Sequence, residues 1–265
     1  MSNISGGKVC EGASSVKLPT DDVVAPEREN WHCKVASSRA DREAAFRLIY
    51  QAYLRGGLGS PNMHQMRVTP YHLLPTTTIF NAQIHSGPEC GEVFSTVSLV
   101  GDGAFGLPLE RVYSQEVAER RERGISMAEV SCLADRRSDF RRFFPVFCAM
   151  NRLLIQFARA QGYDQLLVAV HPKHARFYTR NLGFDVIGEL TEYPTVRNRP
   201  AVPLCYDFAE NDRKQLPGYT NYFSQPLPRE QLLPAYMSDA DVQHFGRMVD
   251  PAFKMDQMLS ENYPP

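Results

Sequence analysis

The sequence predicts a mixed α/β (α+β) fold with a central parallel β-α-β unit, and three observations predict it. Residues 126–135 and 165–170 are apolar runs of the length expected for buried strands. The segment between them repeats aromatic and aliphatic residues at helical spacing. On both sides of this unit, strand-like runs are joined by turn-rich segments, which predicts antiparallel hairpins around a central parallel pair.

The first elements are a short strand over residues 31–36 and an amphipathic helix. Ser38, followed three residues later by Asp41, is typical of a helix N-terminus with a capping box. The helix ends at Gly56, and the aperiodic residues 58–75 that follow predict a long functional or mobile loop. The buried stripe of this helix would consist of Ala45, Leu48, Ile49, Ala52 and Tyr53.

A hairpin and a second helix precede the central unit. Residues 76–84 and 92–100 favour two strands that are joined by the turn-rich residues 85–91. The second helix is predicted to end at Gly124. Its apolar face would consist of Leu109, Val112, Tyr113 and Val117.

Within the central unit, a helix is predicted from about Phe144, because Pro145 suits a first helical turn and would break a later one. Pro172 opens another helix after the second strand. Two strands joined by a helix are predicted to be parallel neighbours with a right-handed crossover. Ligands bind beyond the carboxyl ends of such strands. The sheet is closed by a hairpin of residues 184–192 and 201–208.

The chain divides into three predicted segments. Residues 1–28 are rich in Ser, Gly and Pro and predict a flexible leader. Residues 29–208 would form the main domain. Residues 209–265 are a proline-rich C-terminal extension with one short helix, which begins at Ser238 and is expected to pack on the core.

Composition argues against several classes of function. Lys and Arg total 29 and Asp and Glu total 30, so the net charge of −1 gives no indication of nucleic-acid binding. No apolar run approaches the roughly 18 residues of a membrane span, and the first residues lack the apolar core of a signal peptide. The six cysteines show no CxxC spacing and are predicted to be buried free thiols in the cytoplasm. No metal is predicted, because His171 and His174 lack further ligands at useful spacing. His171 is instead expected to cap a helix or to line a pocket.

A resemblance to a known superfamily rests on residues 174–184. Phe177-Tyr178 and Leu182-Gly183-Phe184 resemble the closing FYxxxGF signature of GNAT acyltransferases, and Glu129-Val130-Ser131 resembles their fourth strand. Within that superfamily, the chain over roughly residues 31–208 resembles the FeeM-type N-acyl amino acid synthases, which are relatives of the acyl-homoserine-lactone synthases. The further matching stretches are Arg47–Tyr53, His171-Pro172, Tyr193-Pro194 and Pro200–Leu204.

This resemblance implies a GNAT-like, mostly antiparallel twisted sheet flanked by helices. It also implies an N-acyltransferase that moves an acyl group, expected to be long, from an acyl-phosphopantetheine thioester to the amine of an amino acid or a similar small amine. In GNAT relatives the segment that corresponds to residues 58–75 covers the acceptor pocket. Strands four and five separate in these relatives, so a backbone N–H near Val130, Ser131 or Leu133 would bind the thioester oxygen.

Four arginines lie in the loop that leads into the helix N-terminus, where orphan N–H groups and the helix dipole attract anions. They would hold the phosphate of the donor, although a solvated charged loop is the alternative. Acetyl-CoA users resemble one another in a glycine-containing loop at this point, and this chain has no glycine between Asp135 and the helix. The absence of this glycine favours an acyl carrier protein, rather than CoA, as the carrier of the acyl thioester. The four residues are Arg136, Arg137, Arg141 and Arg142.

Two residues are candidates for catalysis. Glu129 lies in an apolar strand, where a carboxylate is costly. It is predicted to be a general base or an anchor for the amino group, or else a structural partner of an arginine. By resemblance Tyr178 would protonate the leaving thiolate, and the alternative is aromatic packing. A channel for the acyl chain of the donor could be lined by Phe143, Phe144, Phe147, Met150 and Met127, and the alternative is that these residues are ordinary core.

Two other functions compete with this interpretation. The first is an acetyl-CoA-dependent GNAT N-acetyltransferase. The second is a protein without activity that binds an acyl carrier or an acyl ligand. Finding Glu129 and Tyr178 packed in the core, away from any cleft, would favour the second.

Overall fold

The computed structural model describes residues 30–137, 139–251 and 253, and a twisted mixed sheet forms its centre. The strand order is β1-β2-β3-β4-β5-β8-β6, with β7 paired to β8. Only the β4–β5 pair is parallel among the strands described. The strands are β1 (Trp31–Val35), β2 (Thr77–Ile84), β3 (Val93–Gly101), β4 (Met127–Asp135), β5 (Gln165–Val170), β6 (Asp185–Val186), β7 (Thr191–Tyr193) and β8 (Arg199–Asp207).

Helices flank both faces of this sheet. One face packs against α3 and α4, and the other packs against α1 and α2. The helices are α1 (Arg39–Arg55), α2 (Ser114–Glu122), α3 (Phe140–Ala160), α4 (Pro172–Asn181), α5 (Phe208–Lys214), α6 (Tyr219–Phe223) and α7 (Asp239–Gly246). Short 3₁₀ turns cover Pro70–Leu73, Pro108–Arg111, Pro194–Val196 and Arg229–Leu232.

The predicted capping box of α1 is confirmed. The Ser38 hydroxyl accepts the Asp41 N–H at 3.1 Å, and the Asp41 carboxylate accepts the Ser38 N–H at 3.2 Å. Phe46 and Ile49 on this helix are completely buried against the sheet. The cap and the apolar stripe therefore fix α1 across β2, β3 and β4.

The helix α3 begins at Phe140, four residues before the predicted start at Phe144. Asp139 is the N-cap, and its carboxylate accepts the Arg141 N–H at 2.9 Å. Pro145 consequently lies inside the helix, where it removes the N–H that would bond the Arg141 carbonyl. The interruption falls within the first two turns, so the remaining helix continues undisturbed to Ala160.

Two other predicted elements are divided in the structure. The helix predicted over residues 109–117 is a 3₁₀ turn at Pro108–Arg111 followed by α2. The strand predicted over residues 184–192 is split into β6 and β7. The break lies at Gly188, which has no room for a Cβ beside Pro203. Proline cannot donate to a strand ladder, so Pro203 limits the pairing on this side of β8.

The C-terminal extension contains more helix than the sequence predicted. Ser238 caps α7 as expected, with its hydroxyl accepting the Asp241 N–H at 3.2 Å. In addition α5 ends and α6 lies within the segment, and α6 packs against α3. The leader predicted for residues 1–28 lies outside the described residues.

The five described cysteines form no disulfide. Cys205 is buried as predicted, whereas Cys90 is exposed because it lies in the β2–β3 turn. Within the described chain, no helix is both long enough and apolar enough to cross a bilayer.

Candidate functional site

The strands β4 and β5 separate after a short stretch of pairing. Only Met127–Glu129 pair with Gln165–Leu167, and no register continues beyond Leu167. Each strand keeps its other partner, since β4 pairs with β3 as far as Asp135 and β5 pairs with β8 as far as Val170. The result is the predicted gap between two parallel neighbours, which opens toward their carboxyl ends.

A bulge in β4 lies on one side of this gap. The β3–β4 register shifts between Thr96 and Ser98, where one residue of β3, Val97, faces two of β4, Cys132 and Leu133. Cys132 lies within the bulge with φ +55°, a left-handed conformation that a side chain adopts only when its surroundings impose it. Such a bulge redirects backbone groups, and here it lies next to Ser131 and Leu133 on the cavity wall.

A cavity of about 920 Å³ passes through the gap and reaches both faces of the sheet. On the α3 side its lining is apolar, and this region is called the apolar part below. On the α1 side the lining is polar and aromatic, and this region is called the polar part. The apolar part is lined by Phe143, Phe147, Met150, Leu154, Val168 and Phe184. The polar part is lined by Tyr53, Arg67, His72, Glu129 and Tyr193.

Glu129 lies at the point where the strands separate. Its side chain is 3% exposed, and Oε2 accepts the Leu109 N–H at 2.6 Å from the 3₁₀ turn before α2. Burial raises the pKa of Glu129 to about 8, and the Leu109 hydrogen bond offsets only part of that effect. Among the described residues no arginine forms an ion pair with Glu129. The alternative role considered from the sequence, a structural partner of an arginine, is therefore not observed.

Tyr178 lies on the opposite wall, on α4. Its ring packs edge-to-face on Phe184 at 5.3 Å between centroids, and burial raises its pKa to about 12. The phenol is therefore protonated at neutral pH, and no described residue forms a hydrogen bond with its hydroxyl. His171 both caps α4 and lines the cavity, and its Nδ1 accepts the Lys173 N–H at 3.2 Å.

The four arginines of the β4–α3 loop divide into two pairs. Arg136 forms an ion pair with Glu92, and Arg137 binds Asp135 at 2.7 Å while its guanidinium lies 4.4 Å from the Phe94 ring centroid. Arg141 and Arg142 are exposed on the first turn of α3 and form no ion pair with any described residue. None of the four lines the cavity, whereas Val130, Ser131, Leu133 and Phe143 do.

Sequence reasoning missed most of the polar part. His72 Nδ1 accepts the Thr69 N–H at 3.0 Å, so Nε2 carries the proton and donates to Ser98 Oγ at 3.2 Å. Burial lowers the pKa of His72 to about 3, which keeps the ring neutral. Arg67 was also missed. The sequence signal that could have indicated it is its position between the apolar residues Met66 and Val68 in an aperiodic loop.

Known proteins resemble this chain in sequence and in fold. The FeeM N-acyl amino acid synthase family matches residues 44–207. The structure of FeeM, an N-acyl amino acid synthase from uncultured soil microbes, is 26% identical, with a TM-score of 0.59 over 68% of this chain and 91% of that chain. The acyl-homoserine-lactone synthase LasI is 13% identical, with a TM-score of 0.53 over 75% of this chain and 97% of that chain, and it shows the fold alone. No match was found among curated proteins.

These matches confirm the predicted fold, an open and mostly antiparallel GNAT-like sheet flanked by helices. The matched residues contain β4 and β5, which form the gap, and all the residues named above as lining the two parts of the cavity. Because the family match covers more than half of the sequence, the chain belongs to the FeeM N-acyl amino acid synthase family and is an N-acyltransferase.

Proposed function

We propose that this enzyme transfers a long acyl group from the phosphopantetheine thioester of an acyl carrier protein to the amine of an amino acid. The observation that carries the proposal is the cavity through the β4–β5 gap. It is apolar on the α3 side, and on the other side it contains a buried carboxylate whose pKa is raised to about 8. Acyl chain and amine would therefore approach the thioester from opposite faces of the sheet.

The donor would enter between the separated strands. The unpaired edges of β4 and β5 offer backbone groups to an extended arm, and the bulge at Cys132 lies where the thioester carbonyl would be. A backbone N–H among residues 131–133 would stabilise the oxyanion. The apolar part would hold the acyl chain, with Phe143, Phe147 and Met150 in contact with it.

The chemistry requires the amine nitrogen to lose two protons and the leaving thiolate to gain one. The acceptor ammonium gives a proton to the Glu129 carboxylate, directly or through water, and the free amine attacks the thioester carbon. The tetrahedral intermediate then expels the thiolate as the C–S bond breaks. Tyr178 donates its proton to that thiolate, and the nitrogen gives its second proton through water to the Tyr178 phenolate as the amide forms. A pKa of about 8 suits a base that must accept a proton from an ammonium group.

Arg141 and Arg142 are proposed to meet the anionic donor. Their guanidinium groups are exposed at the N-terminus of α3, where a phosphate is also favoured by the helix dipole. An acyl carrier protein would add its acidic surface to this attraction. Arg136 and Arg137 were predicted for the same role, but their ion pairs with Glu92 and Asp135 compete with phosphate binding.

Turnover with defined donors tests the proposal. The recombinant enzyme is incubated with a long-chain acyl carrier protein thioester and a mixture of amino acids, and products are identified by mass spectrometry. We expect an N-acyl amino acid. Turnover with acetyl-CoA alone would establish the acetyltransferase alternative instead. Absence of any product with either donor would contradict the proposal.

A further inference from the structure

The C-terminal segment that follows α7 contacts the loop that carries Arg67. Val249 forms a parallel bridge with Val68, and the Asp250 N–H donates to the Val68 carbonyl at 2.8 Å. This segment, whose described residues are 247–251 and 253, lies outside the residues that match the family. The C-terminal extension of this chain therefore adds residues to a cavity wall whose other residues lie within the family match.

Arg67 is a buried cation with unused hydrogen-bonding capacity. It is 4% exposed and lines the polar part of the cavity. It donates to Asp250 Oδ2 at 2.8 Å and to the Thr195 carbonyl at 3.2 Å, and its guanidinium lies 4.5 Å from the Tyr53 ring centroid. These bonds use two of the five N–H donors of a guanidinium. Its Nε is buried without a partner among the described residues.

A buried guanidinium with unpaired donors on a cavity wall suits a ligand carboxylate. Buried polar groups are nearly always paired, so an unpaired one in a binding cavity indicates a partner that arrives with the ligand. Arg binds carboxylates through two parallel hydrogen bonds, which fixes orientation as well as position. Asp250 holds the guanidinium from the side and limits its rotation.

Phe253 forms the neighbouring wall. It is 7% exposed, lies edge-to-face with Tyr71 at 6.5 Å, and its ring centroid is 5.4 Å from the Arg67 guanidinium. It lines the same cavity as Glu129. The ring and Tyr53 together exclude water around the guanidinium, which strengthens its attraction for an anion.

We propose that the C-terminal segment completes the acceptor site. Arg67 binds the carboxylate of the acceptor amino acid, Asp250 is the positioning residue for Arg67, and Phe253 closes the wall beside it. The inference rests on the proposed function and extends it to the acceptor's second charged group. The amine then lies toward Glu129, so both charged groups of one amino acid are bound by opposite ends of the polar part.

Kinetics with paired acceptors test this inference. The acceptors are the amino acid that gives product and its carboxamide, which keeps the amine and lacks the carboxylate. The wild-type enzyme should prefer the acid. Asp250→Asn removes the ion pair that positions Arg67, and Phe253→Ala admits water beside the guanidinium, so each should raise the acceptor KM by about tenfold or more. The donor KM should stay unchanged, and Arg67→Gln should abolish the preference for the acid.

Tyr236→Ala is the matched control, because it removes an exposed aromatic ring from the same extension. It should leave both KM values unchanged. Thermal denaturation of each variant separates loss of fold from loss of acceptor binding. Equal use of acid and carboxamide by the wild-type enzyme would overturn the inference, and so would variants that raise only the donor KM.

Binding without turnover distinguishes this inference from the proposed function. Saturation-transfer NMR with the amino-acid mixture reports which acids bind the wild-type enzyme. Binding that Asp250→Asn weakens supports the acceptor site even if no donor is turned over, in which case only the proposed transfer fails. No amino-acid binding by the wild-type protein, in the presence or absence of the acyl donor, would contradict the acceptor site itself.

Discussion

Glu129 is an ionisable side chain in an apolar strand, and its protonation decides what the cavity can do. Burial raises its pKa from 4.5 to about 8, so the folded enzyme holds the carboxyl mostly protonated at neutral pH. A general base must be deprotonated. The fraction of enzyme with an active base therefore increases as the pH rises toward and above about 8.

The first prediction concerns Glu129→Gln, which keeps the size of the side chain and an acceptor for the Leu109 N–H. It should lower kcat by a factor on the order of 10² to 10⁴, the usual contribution of a positioned base. The ratio of wild-type to variant kcat/KM should rise with pH and level off above about 8. The ratio cancels the ionisation of the amine, which affects both enzymes. A ratio that is independent of pH would show that Glu129 is not the base.

The second prediction concerns Tyr178→Phe. The Tyr178 hydroxyl forms no hydrogen bond with any described residue, so the substitution should leave thermal stability nearly unchanged. It should lower kcat roughly 10²-fold or more by removing a proton donor for the thiolate. A donor with an acidic thiol leaving group, such as an aryl thioester, needs no protonation and should restore most of the rate. An equal loss with both donors would assign Tyr178 to packing instead.

At the scale of elements, the first turn of α3 carries the charge that faces the donor. Asp139 caps α3 two residues before Arg141, and Pro145 lies within the helix four residues after Arg141. The exposed Arg141 and Arg142 thus lie on the first turn of α3, which follows β4 directly. Arg136 lies nearby on the loop but is occupied by Glu92.

The third prediction compares these arginines. The double variant Arg141→Ala with Arg142→Ala should raise the KM for the acyl carrier protein thioester by about tenfold at low salt, since charge-assisted contacts to phosphate are lost. The effect should shrink at high ionic strength because exposed charges are screened. Acyl-pantetheine, which lacks the carrier, should be used equally well by both enzymes. Arg136→Ala is the control, and an equal loss there would refute the distinction between the two pairs.

The same elements show what sequence patterns can establish. The strand β5 begins and ends at the residues predicted, and the Ser38 cap is confirmed, because periodicity and capping are local signals. The start of α3 was misplaced because the cap at Asp139 outweighed the usual preference for proline in the first turn. Glu129 was predicted from its place in an apolar strand, but Arg67 and His72 beside it were not, since they come from a loop distant in sequence.

At the scale of the whole molecule, the sheet separates two chemical environments. Its α3 face supplies aliphatic and aromatic side chains, and its α1 face supplies the polar part. The gap between β4 and β5 connects them. Each acyl methylene buried in the apolar part should contribute about 0.8 kcal/mol, which is roughly a fourfold change in affinity.

The fourth prediction is that Met150→Phe shortens the preferred acyl chain. Met150 lines the apolar part, and a phenylalanine ring in its place would reduce the length available to the acyl chain. Competition between acyl donors of different length should shift toward shorter chains by roughly fourfold for each methylene excluded. Leu153→Phe is the matched control, because Leu153 is buried on the same helix without lining the cavity. A shift in the control and not in Met150→Phe would place the chain elsewhere.

The separation of β4 and β5 also bears on strand pairing between molecules. Unpaired strand edges normally invite strands from other molecules. Here the two open edges face each other beneath flanking helices, and the outer side of each strand is already paired. A strand from another molecule could therefore reach these amides only by entering the gap itself. The enzyme thus keeps two unpaired strand edges available to a ligand without placing them at the outer edge of the sheet.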